Sequence, residues 1–281
     1  MIKRTFLLLG VGVMTTVAVS AQKIAVTKGQ KVEAVNSSKI VMSVEMAGQS
    51  MDFNTETAAT SQVELKDVTP AGYLFGNTTT RIVTHATGMG QDNSFDSDKK
   101  EDMDGQMGQA MKGSIGKEQT IQVDKQGKIT DVSADSAADV AGGGLTQIMN
   151  MTGGMMKGQP YPMLVQLPGH NIKTGDSWID STGSLATVKM VTIYTLKDIN
   201  KDSVVVSFTA TMAKKGTIEQ GGMQIDMDMA GTIKGESAYE TSTGLLVRST
   251  TFSDVKGNVG VMGQSAPMTM AITSSTTAKK L

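Results

Sequence analysis

The sequence predicts a mainly β fold, α+β at most: a large curved antiparallel sheet or open barrel built from two similar halves, with two or three short helices. Three observations predict it. Apolar and polar residues alternate strictly over several segments, turn-forming clusters separate those segments, and part of the pattern occurs twice. The composition agrees. Glycine is frequent (31 of 281 residues) and aromatics make up only 4% of the chain, while the many Thr and Val residues favour strands.

The alternation is clearest in "GGMQIDMDMAG", residues 221–231. Met223, Ile225, Met227 and Met229 fall at every second position, with Asp226 and Asp228 between them. Side chains two apart on a strand share a face, so these residues predict a strand with one apolar and one acidic face. Met42, Val44 and Met46 repeat the pattern against Ser43 and Glu45. Val204, Val206, Phe208, Ala210 and Met212 do so against Ser207, Thr209 and Thr211, and Met268, Met270 and Ile272 against Thr269 and Ala271. Burying one large apolar side chain is worth roughly 1.5–3 kcal/mol. Four on one strand approach the stability of an ordinary domain, about 5–15 kcal/mol, so such a face must be covered by core, lid or ligand.

Turns are predicted at "AGQS" (47–50), "KQGK" (125–128), "STG" (242–244) and "MGQSAP" (262–267). The repeat pairs "LKDVTPAGYLF" (65–75) with "LKDINKDSVVV" (196–206), and "GSIGKEQTIQVDKQGKI" (113–129) with "GTIKGESAYETSTGLL" (231–246). Its period is too long for a solenoid and predicts two β half-units, about 39–132 and 172–256, with a C-terminal hairpin at about 245–277. The connector, about 133–160, predicts two short helices: one capped by Ser133 or Asp135 and ended by Gly142 to Gly144, the next carrying Leu145, Ile148 and Met149. Pro160, Pro162 and Pro168 end regular structure there. A third helix is expected where Met103, Met107 and Met111 recur every four residues, with Gly113 as its stop.

The chain opens with Lys3 and Arg4, an apolar run from Phe6 to about Val19, and the small-residue site Val19-Ser20-Ala21. That is the pattern of a secretory signal peptide, residues 1–21, leaving one β-rich domain over 22–281. No later stretch reaches the ~18 apolar residues of a membrane-spanning helix. An exported chain is therefore expected: periplasmic, outer-membrane-associated or secreted. There is no cysteine, which excludes disulfides, thiolate metal sites and cysteine nucleophiles. The formal net charge of −1 offers no footprint for nucleic acid.

Catalytic motifs are missing: no G-x-S-x-G, H-E-x-x-H, Walker or G-x-G-x-x-G context occurs, and His85 and His170 are the only histidines. "DNSFDSDKKEDMDG" (92–105) mimics part of an EF-hand, but Lys100 and Met111 would occupy its first and last ligand positions, so it is expected to be a solvated loop. No cofactor is predicted. Thioethers suit Cu(I), and Met103, Met107 and Met111 form the candidate metal set. Against that, Met alternates freely with Val, Ile and Phe, as packing residues do. Trp178, the only tryptophan, is expected as a buried anchor at a strand start.

The signal peptide, "YPMLVQLPG", "KTGDSW" and "GKEQTIQVDKQGKITDV" resemble a family of uncharacterised exported proteins, a domain of unknown function from Bacteroidetes-type Gram-negative bacteria. The resemblance implies periplasmic or outer-membrane residence and no reaction. More loosely, the twice-built curved sheet is similar to periplasmic lipoprotein carriers and related lipid-binding half-barrels. The expected function is that of a non-enzymatic envelope protein holding an apolar ligand, a lipid or acyl group. Its expected wall is Met42, Val44, Met46, Phe208, Met212, Met223, Met227 and Met229, under a lid of Ile148, Met149, Met155 and Met156. The alternatives are a structural adaptor with a fully packed core and an envelope protein partner, or Met-based Cu(I) handling.

Overall fold

The computed structural model describes residues 26–46, 48–133, 155, 157–168, 171–180, 188–220, 223–261 and 264–281. The signal peptide, both expected connector helices, and Ile148, Met149, Met156 and His170 lie outside them. The described residues form one antiparallel sheet of 12 strands. The strands are β1 (Lys31–Met46), β2 (Gln49–Val68), β3 (Gly72–Gly88), β4 (Gln91–Asp96), β5 (Glu118–Asp124), β6 (Ile129–Val132), β7 (Ser177–Asp180), β8 (Val188–Ile199), β9 (Ser203–Gln220), β10 (Met223–Glu240), β11 (Leu246–Val261) and β12 (Gln264–Lys280). Their order is β6-β5-β3-β2-β1-β12-β11-β10-β9-β8-β7, with β4 paired to the end of β3. Two short helices, α1 (Lys100–Asp104) and α2 (Gln106–Met111), follow β4. No helix among the described residues is long and apolar enough to cross a membrane.

The repeated segments occupy equivalent hairpins. "LKD" ends β2 with a register shift between Leu65 and Asp67, and ends β8 with one between Leu196 and Asp198. The second repeated pair forms the β5–β6 and β10–β11 hairpins, which shift register at Gln122/Val123 and Ala238/Tyr239. Each extra residue adds local twist, so both halves bend at matching places.

The sheet is strongly curled. Strands β6 and β7 are its two edges. At ordinary strand spacing they would stand roughly 48 Å apart in a flat sheet. Yet Lys128, immediately before β6, ion-pairs with Asp180, the last residue of β7, at 3.4 Å. Curling on this scale requires close backbone approach at the bends. At Gly257 a Cβ would collide with the carbonyl oxygen of Asp228, so only glycine fits there.

One end of the curl is crossed by residues 157–168, an irregular strap with turns at 157–158 and 162–163. Pro160 and Pro162 bar a helix, and the strap's backbone instead bonds to both wings of the sheet. Gly158 donates to Ile129 and Tyr161 to Gly127 on one wing. On the other, Val165 donates to Gly244 and Leu246 to Met163. Within the strap, Tyr161, Met163, Leu164 and Val165 are buried. They join Val63, Leu65, Phe75, Ile121 and Leu246 in one core and Leu196, Val204 and Val206 in another.

Several expectations need correction. Residues 91–96 are not loop but strand β4, because pairing with β3 and burial of Phe95 outweigh their polarity. Arg81 answers Asp96 and Asp98 at 2.8 and 3.0 Å. The helix expected through Met103, Met107 and Met111 is broken at Gly105, whose backbone is extended (ψ 174°). The turn expected at 262–267 is shorter, since β12 already begins at Gln264.

Candidate functional site

Register fixes which side chains share the inner face, and three transverse zones result. Nearest the strap are the two cores just described. At the far end, Phe53, Met42, Met270, Val255, Gly231 and Met212 form one row across six strands. Met229 and Met227 continue β10 beyond it, and Met268 continues β12. Met212, Met227, Met229, Val255, Met268 and Met270 are each at most 7% exposed. Asp226 and Asp228 are exposed on the opposite face.

Between these zones runs a belt of hydroxyls that the sequence reading did not identify. Thr84, Thr57, Ser38, Ser274 and Thr251 lie in a single row, which continues through Gly235 into Phe208, Tyr194 and Trp178. Asn36 donates to Thr276 Oγ1 at 2.8 Å, and Ser237 and Ser249 share a hydrogen bond of 2.8 Å. Pairing among neighbours lets these groups be half-buried without a desolvation penalty. The signal was present in the sequence: inner positions of β12 run Met268, Met270, Ile272 and then Ser274, Thr276. A period-two reading that follows only apolar residues stops too early.

Where belt meets strap, a half-open cavity of about 190 Å³ is lined by Pro160, Tyr161, Gln166, Tyr194, Phe208 and Tyr239, with Ser237 and Thr251 from the belt. The Phe208 ring lies over Gly235, where any Cβ would strike it. Tyr194 bridges Trp178, stacked at 5.6 Å between ring centroids, and Phe208 at 6.1 Å. Tyr161 packs against Phe75 at 4.8 Å. Its Oη is buried and has no hydrogen-bond partner among the described residues, a state that costs about 1–3 kcal/mol. Burial pushes the Tyr161 and Tyr239 phenols up. Tyr194 is raised chiefly by burial, with Tyr239 and Asp180 adding to it. All three are therefore neutral hydrogen-bond donors at physiological pH.

The expected wall is placed as follows. Met42, Val44, Met212, Met227 and Met229 come together at the far end. Met46 does not bury; it ends β1 at 38% exposure, past the last covered row. Met223 opens β10. Phe208 belongs to the strap cavity. Met155, expected in a lid, packs against the strap-end core. Met103 lies on α1, and Met107 and Met111 on α2. Trp178 is half-buried rather than fully buried. Lys214, on the inner face opposite Met229, is only 6% exposed, and desolvation lowers its pKa.

Residues 145–246 match the model of a family described as a family of unknown function (DUF6263). The match takes in the strap, β7 to β10 and most of the cavity lining, but not Ser249 and Thr251 on β11. Comparison with curated proteins gave no match. Among solved structures the sheet is similar to one of lipovitellin, whose title concerns lipid–protein interactions, with a TM-score of 0.52 and 8% identity. The alignment covers 90% of this chain and 25% of that one, so the chain spans about a quarter of lipovitellin and shares its fold there. An outer-membrane channel from Pseudomonas putida F1 aligns over 92% of this chain and 98% of its own length, with 7% identity and a TM-score of 0.26. A likeness that low carries no argument.

Proposed function

We propose that this chain is a non-enzymatic protein of the cell envelope that holds an apolar ligand, a lipid or acyl group, against the inner face of its curled sheet. The observation that carries the reading is the continuity of that face: a half-open cavity under the strap leads onto a Met-rich row across six strands. Thioether side chains are flexible and polarizable, so they repack around varied apolar partners. The lipovitellin-like fold supports the reading as a sheet of the same architecture, and the signal-peptide pattern at residues 1–21 supports the location. The test is to purify the chain from its native envelope, extract it and analyse the extract by mass spectrometry. A stoichiometric lipid is expected. Protein that carries no lipid and has a void-free interior would defeat the proposal.

A second reading, a structural adaptor with a packed core, is favoured by the near-complete burial of Met229 and Met270, at 2% and 3% exposure. Cross-linking in the native envelope separates the two. A single protein partner with no bound lipid identifies the adaptor.

A further inference from the structure

The cavity under the strap differs in chemistry from the Met-rich end. Its wall carries donors and hydroxyls (Tyr161, Gln166, Tyr194, Ser237, Tyr239 and Thr251) beside apolar Phe208, Val206 and Leu164, and none of its described lining residues is charged. Tyr161 is 1% exposed, and among the described residues its hydroxyl has no hydrogen-bond partner. A buried donor with no acceptor is out of place in a wall that serves only packing. From Phe208 in this wall, β9 leads through Ala210 to Met212, roughly 13 Å along the strand, all on the inner face.

Resting on the binding reading above, we propose that this cavity seats the ligand's polar head, and that the head is an uncharged hydrogen-bond acceptor: the ester end of a neutral acylglycerol, with its acyl chain laid along β9 onto the Met row. A carboxylate or phosphate would lose part of its hydration in this half-open cavity, with no cation among the described wall residues to answer it, which is unfavourable. An ester carbonyl loses little on entering and can accept a hydrogen bond from the Tyr161 hydroxyl. The buried cation on this face, Lys214, stands two residues beyond Met212 at the opposite end. A charged head would therefore reverse the ligand.

Monooleoylglycerol and ionised oleate carry the same chain and differ only at the head. Each is titrated, below its micelle concentration, against N-phenylnaphthylamine bound to the mature chain, with displacement read by fluorescence. The ester should displace the probe at about tenfold lower concentration. Tyr161→Phe should weaken the ester about fivefold to tenfold, as loss of one buried hydrogen bond does, and leave oleate unchanged. Its thermal midpoint should hold or rise, because the variant removes an unpaired buried hydroxyl. Should it melt lower, Thr251→Val in the same wall repeats the test. Equal affinity of wild type and variant for the ester would overturn the proposal. So would a preference for oleate, and loss of that preference in Lys214→Met would place the head at the far end. Absence of any probe or lipid binding would sink the binding reading itself.

Discussion

Replacing Met270 by alanine tests the claim on which the inner face depends. Met270 is 3% exposed and sits between Met42 on β1 and Val255 on β11. The change removes three heavy atoms, each close to a methylene in size, so the transfer loss is roughly 2.4 kcal/mol. A cavity walled by strands that cannot close in adds to this, and buried Met→Ala changes span about 2–5 kcal/mol. For a chain of this size that lowers the thermal midpoint by roughly 4–20 °C. The assay is thermal and urea denaturation of the mature chain followed by far-UV circular dichroism. Met46→Ala, at the uncovered end of β1, should stay within about 0.5 kcal/mol. Met270→Leu conserves volume and should cost less than about 1.5 kcal/mol. If Met270→Ala behaved like Met46→Ala, the face would not be buried. If Leu failed as badly as Ala, sulfur would serve as a ligand rather than as packing.

Gly257→Ala should destabilise by about 1–3 kcal/mol in the same urea titration, because the new Cβ drives into the Asp228 carbonyl and β10 and β11 must move apart. Gly113→Ala, where nothing lies within 4 Å, is the control, and equal effects would refute the close-approach argument. The Arg81 guanidinium beside Asp96 holds that carboxyl below its usual range. The pair therefore contributes stability that is present above the unfolded carboxylate value and lost as pH falls through the lowered folded one. Asp96→Asn should lose less stability than wild type on acidification through that window, and parallel pH profiles would count against the pair.

Strand identity was legible wherever the inner positions were apolar. In β10 the alternation of Met with Asp is the hydrophobic effect written along one strand, and Met227 and Met229 are buried as it requires. Legibility failed where inner positions turn polar. Asn36 and Ser38 on β1 face inward like Ile40, but their hydrogen-bond partners lie on β12, far away in sequence. Strand β4 was missed for a related reason: Gln91–Asp96 has one core residue, Phe95, and becomes a strand only because β3 offers an edge. The role of Tyr161 is not legible from the sequence around it. Its importance comes from what surrounds it, and a Pro-Tyr-Pro run inside an apolar stretch was the only local hint. Nothing local could have put β1 beside β12.

That adjacency has a consequence for how the molecule is made. Asn36 and Ser274, 238 residues apart, share a hydrogen bond in the middle of the sheet. Strand β1 is an open edge until β12 has been synthesised, and loop closure of this length makes folding slow. A nascent chain that cannot complete its central pairing stays incompletely folded until its last strand emerges.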